Sequence, residues 1–224
     1  MSGDRSIYRI SGQATVNGKD ATLQTTIKPG DTLKTAKNSE MIFVVNSHAM
    51  IMRSNSHLVI EAGQAKPEKI EGAKAAEKKA PVETRITEES SMSSFISGLE
   101  MLSGKLLSVS RNSPMKVRTA TATIGIRGTG FYVEADPEQT YFCTCYGTTD
   151  ITSNENPENK TTVISQHHER PLYILKAQSS GHNIRNAPFV DHTDQELTLI
   201  EALVGRTPEF VFANDTYSAP RRDY

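Results

Sequence analysis

The chain has 224 residues with 25 basic and 26 acidic side chains, a formal net charge of −1. That balance, with no long basic stripe, excludes charge-driven recognition of nucleic acid or of an anionic membrane. Apolar residues make up 36% and aromatic residues 6%, and tryptophan is absent, a lean composition that suits a thin β architecture better than a compact α/β enzyme. No stretch approaches the roughly 20 apolar residues that carry a helix across a bilayer.

From Tyr8 to Ile60 short apolar runs alternate with turn residues: Ala14-Thr15-Val16 before Asn17-Gly18, Ile42 to Val45 before Asn46-Ser47, then Leu58-Val59-Ile60. Asn-Gly between such runs predicts a hairpin, because both residues tolerate φ > 0. Pro29-Gly30-Asp31 marks another tight turn. Strands recurring about every 8–12 residues predict an all-β sandwich or solenoid rather than βαβ units. Residues 63–94, rich in Ala, Lys, Glu and Ser and broken by Pro67 and Pro81, predict a flexible insertion. Phe95 to Gly104 then carries helix-like spacing, and Lys105 to Val109 reads as a strand.

Val117 to Val133 reads as a strand, a glycine-punctuated turn and a second strand. Thr119, Thr121 and Thr123 alternate with Ala120, Ala122 and Ile124, which on an extended chain puts the two sets on opposite faces. Gly125, Gly128 and Gly130 permit positive φ or close backbone approach. Arg127 is expected to point inward and bond loop carbonyls, since a buried guanidinium must be paired. A phosphate cradle is excluded here, because Phe131-Tyr132-Val133 continues as a strand and not as a helix N-terminus. Further on, Thr161 to Ile164 and Pro171 to Leu175 are strand candidates. Thr193-Asp194-Gln195-Glu196 fits a capping box that opens a helix over about 194–204. Leu197, Ile200, Leu203 and Val204 give it one apolar face, and Gly205 with Pro208 close it. The end, 213–224, is a polar tail.

Several of these pieces resemble the signature of the FecR domain, the ferric-citrate regulator type. They are Gly12-Gln13-Ala14-Thr15-Val16-Asn17-Gly18, then Pro29-Gly30-Asp31-Thr32-Leu33-Lys34-Thr35 with Ser39 to Phe43, then Ile126-Arg127-Gly128-Thr129-Gly130-Phe131-Tyr132-Val133, and last Thr140 to Gly147. The resemblance covers residues 8–151 with the interruption at 63–94, and leaves 152–212 as a C-terminal extension that carries the helix. It implies an all-β, solenoid- or sandwich-like domain in which Arg127, Gly128, Thr129 and Gly130 are a structural motif. It also implies a non-enzymatic periplasmic or secreted sensor or scaffold that acts through a protein partner, with a link to iron or envelope signalling. The opening Met-Ser-Gly-Asp-Arg lacks the apolar core of a secretory signal, so the resemblance implies a leader or membrane helix outside this sequence, with a cytoplasmic protein as the alternative. With neither an anti-sigma segment nor a membrane helix in view, a stand-alone interaction module is the expectation.

Chemistry concentrates at Cys143-Thr144-Cys145. On a strand the two sulfurs share a face from residues ~6.6 Å apart, whereas a disulfide needs Cβ atoms about 3.8 Å apart, so an in-strand bridge is disfavoured. In an oxidising compartment two such thiols require burial, a metal or a partner. Two thiolates with His167 or His168 make a tetrahedral site suited to zinc or iron, and His182 and His192 are candidate further ligands. The spacing departs from compact zinc-finger pairs, and buried thiols with surface histidines are the competing reading. On a regular strand only one of the adjacent histidines would face the thiols. Asp191-His192-Thr193-Asp194 reads first as a helix start whose acids complement the dipole, and second as a metal or acid/base cluster. Met50 and Met52 read as core filler before copper ligands. No catalytic constellation stands out. A thiol nucleophile, Cys143 or Cys145 with His168 as base, is the third and least supported reading, behind scaffold and metal protein.

Overall fold

Asn17 and Gly18 both adopt positive φ, 52° and 75°, and turn the chain from β2 (Ala14–Val16) into β3 (Lys19–Asp20), as an Asn-Gly hairpin requires. The computed structural model describes residues 5–63, 95–110, 114–176, 181–208 and 210. All but the first residue of the expected insertion, and the whole of the expected tail, lie outside the described residues. The other strands before that gap are β1 (Ile7–Ser11), β4 (Thr32–Thr35), β5 (Glu40–Val45), β6 (His48–Met52) and β7 (His57–Gly63). After it come β8 (Phe95–Ser110), β9 (Met115–Arg118), β10 (Ala122–Ala135), β11 (Gln139–Ser153), β12 (Lys160–Ser165), β13 (Leu172–Leu175) and β14 (Ile184–Asn186). One helix, α1 (Asp194–Leu203), follows. The all-β expectation with a short C-terminal helix is what the chain adopts.

The fourteen strands form one sheet whose main path runs β14-β13-β11-β10-β9-β8-β7-β4-β2-β3, with β12 beside β11, and β1, β5 and β6 leading onto β8. β8 does the joining. Its first half pairs with β7 and, in parallel, with β9, while its second half lies between β6 and β10. Because β9 also pairs with β10, the sheet rolls shut into a barrel with extra strands. Phe95 to Gly104, expected as helix-like, is the first part of β8. Phe95 and Leu102 are exposed, and register shifts against β7 between Ile96 and Gly98 and between Met101 and Ser103 break strict alternation, so the buried Ile96, Leu99 and Met101 fall at spacings that mimic a helix.

Side chains alternate between two cores. Met50, Met52, Leu106, Phe131, Val133 and Phe142 belong to the inner one. Ile51, Leu107, Val109, Tyr132, Tyr141, Cys143 and Cys145 belong to a second core on the outer face. That outer face is covered by the segment after β14, through Ala187, Phe189, Val190, Leu197, Ile200, Leu203 and Val204. The capping box forms as expected: Thr193 Oγ1 accepts from the Glu196 N–H at 3.3 Å, and Glu196 Oε2 accepts from the Thr193 N–H at 2.9 Å.

Two details of the glycine-rich stretch differ from expectation. The chain turns at Thr119–Thr121, not at the glycines, and the Thr119 and Thr121 hydroxyls meet Thr140 Oγ1 at 2.6 and 2.8 Å to fasten that corner. β10 then runs straight through the glycines, with a bulge between Arg127 and Phe131 where Gly128 takes φ 58°. A Cβ on Gly130 would collide with the Tyr146 ring, so close approach is the reason for glycine there.

Candidate metal centre

The two cysteines lie on β11, both pointing to the outer face, fully buried and unbridged. Three chain segments converge on them. After β12 the backbone bends, and His168 takes φ 52° while its N–H donates to the Cys145 carbonyl at 2.9 Å. This left-handed bend is why the strand rule fails: His167 and His168 do not point to opposite faces, and their rings lie 4.8 Å apart. From the other side Asp191, at φ 61°, turns the chain into α1 and delivers His192, whose ring stacks on Tyr132 at 4.5 Å.

Cys143 Sγ is 3.4 Å from His168 Nδ1, Cys145 Sγ is 3.4 Å from His192 Nε2, and the two ring nitrogens are 3.2 Å apart. All four donor atoms lie within 4.8 Å of one another, and all four residues are buried. A tetrahedral zinc with Zn–S near 2.3 Å and Zn–N near 2.05 Å has S···N edges of ~3.6 Å and an N···N edge of ~3.3 Å. Three of the six donor–donor separations are thus within a few tenths of an ångström of a single-ion coordination shell. Four protein donors leave no open position, the arrangement of a structural and not a catalytic zinc site.

The outer nitrogens are held as metal-binding imidazoles require. His192 Nδ1 lies 2.7 Å from the Val190 carbonyl, and His168 Nε2 lies 3.0 Å from Asp194 Oδ1. Asp194 also takes His167 Nε2, at 2.9 Å to Oδ2. His167 is thus part of the support around the shell, one layer out from the thiols, and not one of the four inner donors. His182, the other candidate ligand, is exposed and outside the cluster.

Electrostatics point the same way. Burial alone would raise the Cys143 thiol, but hydrogen bonds from Cys145, His168 and His192 hold it well below the ordinary thiol range. Burial, with the neighbouring Cys143, pushes Cys145 well above that range. His168 is drawn down by burial but, through its hydrogen bonds to Asp194 and Cys143, rises to about 9. A divalent cation bound here would take the place of the protons shared among these groups.

The expected structural motif lies elsewhere. Arg127 does not point inward: it is exposed and pairs with Asp150 at 2.6 Å, and the bulge at Gly128, not a buried guanidinium, shapes this stretch. Thr129 pairs with Ser110 through the backbone. Met50 and Met52 are buried in the inner core, away from the thiols. Asp194 is the residue undervalued in the sequence. Its capping context explains its place at the helix start, and only the fold shows that it also reaches two histidines some 26 residues earlier.

No family model matches the chain, and no curated protein does. Two crystal structures of a "putative anti-sigma factor" from Parabacteroides distasonis ATCC 8503 are similar to it, at 13% and 12% identity with TM-scores of 0.44 and 0.45. Each match covers 70% of this chain and 58% of the other, so the chain spans less than two thirds of their length. Among the described residues no helix is long and apolar enough to cross a membrane.

Proposed function

We propose that this chain is a non-enzymatic metal-binding protein that holds one zinc ion between Cys143, Cys145, His168 and His192. One observation carries the reading: four buried donors from three segments lie within 4.8 Å of one another, and three of their six separations, 3.4, 3.4 and 3.2 Å, are close to the edges of a zinc tetrahedron. Cys₂His₂ donors suit zinc, and the closed set disfavours the thiol-enzyme reading, which needs a thiolate that substrate can reach. Elemental analysis of natively purified protein tests it. About one zinc per chain, lost in the Cys143→Ser, Cys145→Ser double variant, is expected. Less than about 0.2 metal per chain, unchanged in that variant, overturns the reading, because a true site depends on its thiolates.

The ordered motifs from Gly12 to Gly147 favour a broader second reading that is compatible with the first. In it the domain is a FecR-type regulatory module that works in the periplasm by protein–protein contact. Pull-down from a native envelope extract tests it. A specific partner that is retained when the site is loaded with zinc supports it, and the absence of any specific partner counts against it.

A further inference from the structure

We infer that the ion is a clasp: it holds the C-terminal strap, residues 187–206, on the outer sheet face, and its removal releases that strap while the barrel stays folded. The inference rests on the zinc reading above and adds to it what the ion controls.

The ligands are divided unequally between body and strap. Cys143 and Cys145 sit on β11, and His168 follows β12, so three of the four belong to the strand framework. His192 alone comes from the strap, immediately before α1, with Asp194 two residues on. An ion at this point joins the strap to β11.

The cores are divided in the same place. Among the described residues, none beyond Ile184 contributes to the inner core, which is made mostly by the strands. Everything the strap buries goes to the outer core, over Ile51, Leu107, Val109 and Tyr132. The strap can therefore leave without opening the barrel interior. What else fastens it is Arg53, to Glu196 at 2.6 Å and to the Asp191 carbonyl at 2.5 Å, Lys105 to Asp191 at 2.8 Å, Asp194 to His167 and His168 at 2.9 and 3.0 Å, Arg206 to the Ser47 carbonyl at 3.2 Å and the Ala187 N–H to the Pro171 carbonyl at 2.8 Å. The Arg53 and Lys105 ion pairs are partly exposed and of the weak kind. Tyr141 adds a hydroxyl bond to the Pro188 carbonyl at 3.0 Å, and Tyr146 adds one to Glu201. The α1 helix has 10 residues, fewer than the ~12–15 that a helix needs to persist alone in water, so a strap that is released also unwinds.

Hydrogen exchange on the full-length protein decides it, with amides of α1 and of β8 and β10 followed in zinc-loaded protein, after a zinc chelator, and after zinc is returned. The expected result is a loss of α1 protection of about tenfold or more without zinc, restored by zinc, with β8 and β10 unchanged. The His192→Ala variant, which removes only the strap's ligand, is expected to show the chelated pattern in α1 even with zinc present. If zinc binds but α1 protection does not depend on it, the clasp is wrong and the zinc site stands. If protection collapses in β8 and β10 as well, the ion holds the whole fold and the clasp is again wrong. If elemental analysis finds no metal, the zinc reading falls and the clasp falls with it.

Discussion

Asp194 serves three purposes from one position. It lies in the first turn of α1, where its charge complements the helix dipole, and its two carboxylate oxygens take His167 and His168 at 2.9 and 3.0 Å. Fixing His168 by its outer nitrogen turns the other nitrogen toward the thiols, so Asp194→Asn is expected to weaken zinc binding by roughly 10-fold or more. Competition against a chromophoric chelator measures this, and an unchanged affinity would mean the carboxylate only caps the helix. His48 is a second residue with a measurable consequence. It is buried on β6, its Nδ1 meets no partner among the described residues, and burial, with the nearby Arg206 charge, lowers its pKa to about 4. A depressed folded-state value means that the unfolded chain takes up the proton first. The stability contribution is therefore complete above about pH 6.5 and is lost as pH falls toward 4, a difference worth roughly 3 kcal/mol. Denaturant titrations of wild type and His48→Asn across that window are expected to converge as the pH falls. Parallel curves would show that His48 is not buried neutral.

At the scale of elements, α1 depends on its cap because it is too short to persist alone. Thr193→Ala removes the hydroxyl that accepts the Glu196 N–H and should cost about 1 kcal/mol in global stability, whereas Thr193→Ser should cost little. Equal losses in both variants would place the energy in the Thr methyl and not in the cap. The capping box and the Asn17-Gly18 hairpin were legible in the sequence because both are local: the chemistry that defines them lies within four residues. β8 was not legible, since two register shifts against β7 break its alternation, and Phe95 to Gly104 imitates a helix until its neighbours are known. The site was half legible. Cys143, Cys145 and His168 stand out as residue types, and His192 could be named only as one of several further ligands. Their assembly depends on the left-handed bend at His168 and the turn at Asp191, two backbone conformations at non-glycine residues that no spacing rule anticipates.

For the molecule as a whole, two separate cores and the proposed ion between strap and barrel imply that unfolding is not a single event when zinc is absent. On the clasp reading zinc binds the docked state, with four donors, more tightly than the strap-released state, which keeps three. It therefore stabilises that state against both the strap-released and the fully unfolded forms, by up to about 4 kcal/mol when free zinc is 1,000 times the dissociation constant. The two transitions should then merge. The chain contains no tryptophan, and Leu199 on α1 is 46% exposed, so Leu199→Trp supplies a single tryptophan on the strap at little cost to packing. In zinc-free protein its fluorescence should change at a lower temperature than the far-ultraviolet signal of the strands, and in zinc-loaded protein the two should coincide. Coincidence in both conditions would mean that strap and barrel unfold together whatever the metal does. The observed division of the cores would then be geometric and not energetic, since local stabilities differ within a fold only where the contacts between parts are few enough to break separately.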